Sequence, residues 1–150
     1  MNEQTNVVNI INELLDRKEG YKVGKKVTVI EPMDEYWREC VCLFLAAVVY
    51  YFKEHYTSED KLCYSAVLDF TKKAWQISDL GRMDTDKYIN ELTLLFGNES
   101  GTSKTNKYYS AFLNKSGKTV LSVVVAAHTE LKVIRFDKQR IADFERVFDV

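Results

Sequence analysis

The sequence predicts an all-α fold: one domain over residues 1–150, built as a bundle of six to seven helices. Three observations lead there. Apolar residues recur at spacings of three and four along nearly the whole chain, the period of a helix with one buried face. One proline and six glycines leave long stretches unbroken, which suits helices better than a turn-rich sandwich. Hydrophobic residues at 46% and charged residues at 29% are the balance of a folded, core-forming chain, which excludes disorder.

The first helix carries Val7, Val8, Ile10, Ile11, Leu14 and Leu15 on one face, with Thr5 or Asn6 as N-cap and Gly20 beyond its end. Residues 21–33 break the period. Val23, Val27, Val29 and Ile30 around Gly24-Lys25-Lys26 predict a short hairpin or extended loop ended by Pro32. Asp34 caps a long second helix to about Tyr56, apolar nearly all round and therefore central. Its run Cys40–Phe52 has thirteen residues, short of the about 20 that cross a bilayer. Arg38, Glu39, Lys53 and Glu54 flank it closely, so it reads as a core helix.

Ser58 begins a predicted third helix that buries Leu62, Ala66, Leu68, Phe70 and Trp75, and 78–83 is a loop. Asp84 or Thr85 caps a fourth helix with Tyr88, Ile89, Leu92, Leu95 and Phe96 inward, stopped by Gly97. The polar stretch Asn98–Asn106 reads as a loop. A fifth helix covers about Lys107–Lys115, a sixth Lys118 to about Ile134, and a last one Lys138–Phe148. Trp37, Leu45, Val48, Val124 and Leu131 are the residues expected deepest in the core.

Several functional classes lose ground on chemistry. Ser116-Gly117-Lys118-Thr119 looks like the end of a phosphate-binding loop, but that loop needs a glycine five residues before the second one. Phe112 stands there, and an amphipathic helix precedes it where a strand belongs. Gly117-Lys118-Thr119 therefore reads as a break between two helices. Cys40, Cys42 and Cys63 lack Cys-x-x-Cys spacing and read as thiols kept reduced in a cytosol. His55 and His128 share no metal-binding spacing, and His128 sits on an apolar helix as a core or half-buried residue. Ser116 and Ser122 have no elbow or neighbouring base. No catalytic residue, cofactor site or metal site is expected. The N-terminus shows no basic stretch leading into an apolar one, so no signal peptide is expected either.

Net charge is −1, but it is unevenly spread. Between Gly101 and Arg140 eight bases stand against two acids, and between Glu31 and Asp60 seven acids stand against two bases. Such a dipolar surface steers an anionic partner to one face. Lys104 and Lys107 beside Tyr108 and Tyr109 have the make-up of a phosphate-plus-stacking site for single-stranded nucleic acid. The same residues also read as solvated lysines above core tyrosines. Lys104, Lys107, Lys115 and Lys118 are the candidate cargo or nucleic-acid contacts, and Tyr21, Lys22, Lys25 and Lys26 form a second basic spot.

The order of segments carries a resemblance. NVVNIINELLDR leads to DEYWRECVCLFLAAVVYYFKEH, then a Leu/Phe helix, then Ile89-Asn90-Glu91-Leu92 through Phe96, then YYSAFLNKSGKTVLSVVVAAHTELKVIRF. From about Asn6 to Phe144 this resembles the all-α domain of type IV secretion coupling proteins of the TraG-like family, especially those of Gram-positive conjugative elements. Asp34, Tyr36 and Trp37 match its acidic-aromatic helix start. Tyr109, Phe112, Gly117, Lys118, Thr119 and Ser122 match its Tyr-x-x-Phe and Gly-Lys-Thr segment. The resemblance implies a cytoplasmic substrate-recognition module without membrane contact of its own, a monomer in isolation, taken from a membrane-anchored hexameric ATPase. It implies a relaxase, an accessory relaxosome protein or DNA as cargo. The departures are the missing P-loop, acidic Walker B strand and transmembrane segment. It also implies that the first and last helices lie close together. The competing expectation is a small helical DNA-binding regulator, with helices five and six as a helix-turn-helix around Asn114–Gly117; the apolar sixth helix argues against it.

Overall fold

A computed structural model describes residues 6–16, 21–23, 26–28, 34–56, 62–97 and 103–150, with backbone only at 21–23 and 26–28. Among them are seven α-helices: α1 (Val7–Leu15), α2 (Glu35–His55), α3 (Tyr64–Gln76), α4 (Thr85–Leu95), α5 (Lys104–Ser116), α6 (Val120–Val133) and α7 (Lys138–Glu145). Single 3-10 turns follow α5 at Gly117–Thr119 and α7 at Arg146–Phe148. A two-stranded hairpin, β1 (Tyr21–Val23) with β2 (Lys26–Thr28), joins α1 to α2, pairing Tyr21 with Thr28 in antiparallel register. The fold is all-α with the small hairpin that the sequence allowed.

α2 is the axis. Asp34 caps it by accepting the Tyr36 N–H at 2.9 Å, and every residue from Phe44 to Val49 is buried, so the helix is surrounded on all sides. Phe44 packs at ring-centre distances of 6.1 Å from Phe96 and 5.0 Å from Phe112, which ties α2 to α4's end and to α5. Burying one such ring contributes about 1.5–3 kcal/mol. Leu45, Val48, Val124 and Leu131 are buried as expected. Trp37 is not: it is half-buried, edge-on to Tyr36, because the first turn of α2 protrudes before the bundle closes round it. Cys40 and Cys42 are both buried, and burial pushes the Cys42 thiol up to about 12.

α1 lies along α2, where Arg38 donates to the Asn12 carbonyl at 2.7 Å. It also meets α7, where Arg140 donates to the Leu14 carbonyl at 3.0 Å. The first and last helices are therefore neighbours. α6 buries Val120, Val123, Val124, Ala127 and Leu131. The opposite face of α6 is exposed at Ser122, Val125 and Thr129, so the helix lies on the core by one side, and the apolar run expected to be wholly buried is buried on that side alone.

Two expectations about element boundaries need correction. The predicted start of the third helix at Ser58 lies outside the described residues, and α3 itself begins at Tyr64. Its buried face is Tyr64, Val67, Phe70, Thr71 and Ala74, whereas Leu62, Ala66, Leu68 and Trp75 are half-buried. Neighbouring helices set that phase: the Tyr64 hydroxyl donates to the Leu131 carbonyl of α6, and its N–H donates to Glu145 of α7 at 2.8 Å. α5 begins at Lys104, three residues before the expected Lys107, because another helix caps it.

The turn after α3 is unusual. Asp79 and Leu80 adopt φ of 53° and 58°, followed by Gly81 at 79°. A left-handed non-glycine residue costs about 1–2 kcal/mol. Ser78 anchors the turn by donating to the Trp75 carbonyl at 2.7 Å and accepting the Gly81 N–H at 3.2 Å. Among the described residues no helix is long and apolar enough to cross a membrane.

Candidate functional site

The four candidate lysines ride on α5 and the turn after it, so the packing of α5 decides what they can do. α5 runs antiparallel to α2 and is held at both ends by α2 side chains. At its start three N–H groups have no partner within the helix. The Glu54 carboxylate accepts two of them, from Lys104 at 3.2 Å and Thr105 at 3.0 Å, and also accepts the Thr105 hydroxyl. Ser103 accepts the third, from Asn106 at 2.9 Å. At the other end the Tyr36 hydroxyl donates to the Lys115 carbonyl at 2.9 Å and lies 3.3 Å from the Thr119 hydroxyl. Burial pushes the Glu54 carboxyl upward, but the hydrogen bonds from Thr105 and Lys104 outweigh it and leave the pKa below the ordinary value.

This arrangement splits the lysine set. Lys104 and Lys115 are eleven residues apart on one helix, about 16 Å along its axis. Lys115 pairs with Glu39 at 2.6 Å, and that hydrogen bond raises its pKa. Its charge is therefore matched within the fold. Lys118 is exposed in the 3-10 turn beyond it, with no ion pair among the described residues. The acidic stretch of α2 thus neutralises part of the basic stretch of α5, and the surface is less dipolar than the sequence suggested.

The other end of α5 gathers what the first leaves out. Tyr108 stacks on Tyr50 of α2 with ring centres 5.3 Å apart and planes 7° from parallel. Ammonium groups cover this pair. Lys107 lies 5.4 Å from the Tyr108 centre, and Lys104 and Lys53 lie 5.3 Å and 5.8 Å from that of Tyr50. Lys104 and Lys107 make no ion pair among the described residues. Lys53 is partly committed: it donates to the Val147 carbonyl at 2.9 Å and to that of Val150. Burial, and then the neighbouring Lys104, push its pKa down. Clustered cations of this kind attract an anion, and the aromatic faces beneath them favour a planar one.

Tyr109 does not belong to this surface. It is buried, its hydroxyl is 2.7 Å from that of Thr93, and burial pushes its pKa up to about 12. Tyr50, Lys53 and Glu54 were missed by sequence reasoning. Nothing local marks them, since each acquires its role only when α2 lies antiparallel to α5. The second basic spot falls in the hairpin, where Lys25 and the side chains of Tyr21, Lys22 and Lys26 lie outside the described residues, as does loop 98–102. Among the described residues no group of three His, Cys, Asp or Glu could hold a metal. No protein family matches the chain, and neither a curated protein nor a solved structure matches it.

Proposed function

We propose that this chain is a cytoplasmic recruiting module that binds the nucleic-acid part of a relaxase–DNA cargo on the α2–α5 face. In this reading it serves as the substrate-recognition domain of a conjugative coupling protein and leaves ATP hydrolysis to other parts of a larger assembly. The observation that supports a binding role is the Tyr50–Tyr108 stack with Lys53, Lys104 and Lys107 around it. Phosphates would engage Lys104 and Lys107. An unpaired base would reach the outer face of Tyr108 by displacing the Lys107 ammonium, a contact worth about 1–3 kcal/mol per base. The coupling-protein setting rests on the order of segments from Asn6 to Phe144, and neighbouring α1 and α7 agree with insertion into a longer chain.

Fluorescence anisotropy of labelled single- and double-stranded DNA, at about 50 and about 200 mM salt, tests the reading. Single strands should bind more tightly than duplex, and affinity should fall as salt rises. Lys104→Glu with Lys107→Glu should weaken binding and flatten the logarithmic salt slope by about 1.4, at about 0.7 per lost phosphate contact. The melting temperature should barely move, because neither lysine has an ion pair among the described residues. Binding that the double variant leaves intact would remove this face from consideration. Absence of binding at low salt would assign recruitment to the relaxase or an accessory protein, to be followed by pull-down.

A further inference from the structure

A recess of about 480 Å³ lies between α3, α6 and the turn at 78–81. Trp75, Leu80, Leu121 and Val125 line its apolar part. Its size is within the range of small-ligand sites, about 300–1,000 Å³. Leu80 is 73% exposed and Val125 41%, so packing among the described residues accounts for neither.

The turn makes this exposure notable. Two successive non-glycine residues are held left-handed, and the leucine placed there lines the recess without filling a core. Strain retained at a surface position points to a use for that position.

The polar part of the recess has a definite chemistry. The Thr71 hydroxyl donates to the Leu68 carbonyl at 2.8 Å, so its oxygen is left to accept Nδ1–H of His128 at 3.0 Å. That fixes the tautomer and leaves Nε2 of the neutral ring without a partner among the described residues. Lys132 lines the recess beside His128, and Lys72 acts on the same imidazole. No carboxylate lines the recess, and neither lysine has an ion pair among the described residues. An apolar floor with an unmatched positive edge calls for a ligand that is apolar at one end and anionic at the other.

We propose that this recess binds a small amphiphilic carboxylate, its chain or ring laid against Trp75, Leu80, Leu121 and Val125 and its carboxylate held by Lys132. The inference does not depend on nucleic-acid binding at the α2–α5 face.

Decanoate, with decanol as its uncharged counterpart, tests it by isothermal titration calorimetry on the full chain. Decanoate should bind saturably at one site, and decanol at least tenfold more weakly. Val125→Glu and Lys132→Glu should each weaken decanoate by tenfold or more. Leu80→Gly should also weaken it while the melting temperature holds or rises, which separates loss of the site from loss of the fold. No saturable binding of decanoate, or binding that Val125→Glu and Lys132→Glu leave unchanged, would overturn the assignment. So would a dimer in sedimentation velocity that Val125→Glu breaks, since a second copy would then cover the recess.

Discussion

Replacing Glu54 with alanine probes the join between α2 and α5 most directly. The carboxylate accepts from the Lys104 N–H, the Thr105 N–H and the Thr105 hydroxyl. Thr105 is fully buried, so alanine leaves two of its donors without partners. Each buried unsatisfied donor costs about 1–3 kcal/mol, and the Lys104 N–H, nearer solvent, adds little. Water reaching the exposed side of the cap keeps the total toward the lower part of that range, about 2–4 kcal/mol. At about 2–4 °C per kcal/mol for a chain of this size, the melting temperature should fall by about 5–15 °C.

Glu54→Gln keeps an acceptor oxygen and should cost only about 1 kcal/mol. The carboxyl's pKa is depressed in the fold, so its contribution is fully present above the ordinary carboxyl value. It is lost as pH falls through the depressed one. The gap between wild type and Glu54→Gln should therefore close on acidification. Thermal melts by circular dichroism from pH 7 to pH 3 would read both effects. An alanine variant that melts within about 2 °C of wild type, or no more easily than the glutamine variant, would refute the capping argument.

Two further perturbations reach other parts of the bundle. Val124→Ala, at a position with no exposure, should lower stability by about 1–3 kcal/mol in urea titrations; a smaller change would mean that α6 is not central. His128 has its pKa lowered by burial first and then by Lys132 and Lys72, so the fold favours the neutral ring, and stability is lost as pH falls through the histidine range. His128→Asn, which retains a donor for Thr71, should lose less stability than wild type between pH 7.5 and 5.5; equal losses would show that His128 does not titrate against the fold.

The legible parts of this chain are those that local chemistry decides. Asp34 and Asp84 cap α2 and α4 because an aspartate before a periodic segment can satisfy its first N–H groups wherever the helix later packs. The uniformly apolar run Cys40–Phe52 could go nowhere but the centre. What the sequence hides is decided at a distance. The start of α5 depends on Glu54, some fifty residues earlier. The phase of α3 follows from Tyr64, bonded to α6 and α7, and from Thr71 and Ala74, small residues on the same buried face, and it leaves the larger Leu68 half-buried. Of the adjacent pair Tyr108 and Tyr109, helical geometry sends one outward and one inward, but only the register of α2 shows that the outer one meets Tyr50.

The double hold of α2 on α5 has a mechanical consequence. Glu54 grips the first turn of α5 and Tyr36 the last, about 20 Å apart for thirteen residues. A ratchet of one helical turn, about 5.4 Å, would have to break both grips at once, since neither partner set recurs one turn along. A load applied at Tyr108 cannot be relieved by α5 creeping past its neighbour, and it passes into α2 as a shear shared between two anchors. The pair should move as one strut, carrying a tug at the lysine end to the Tyr36 end without lost travel.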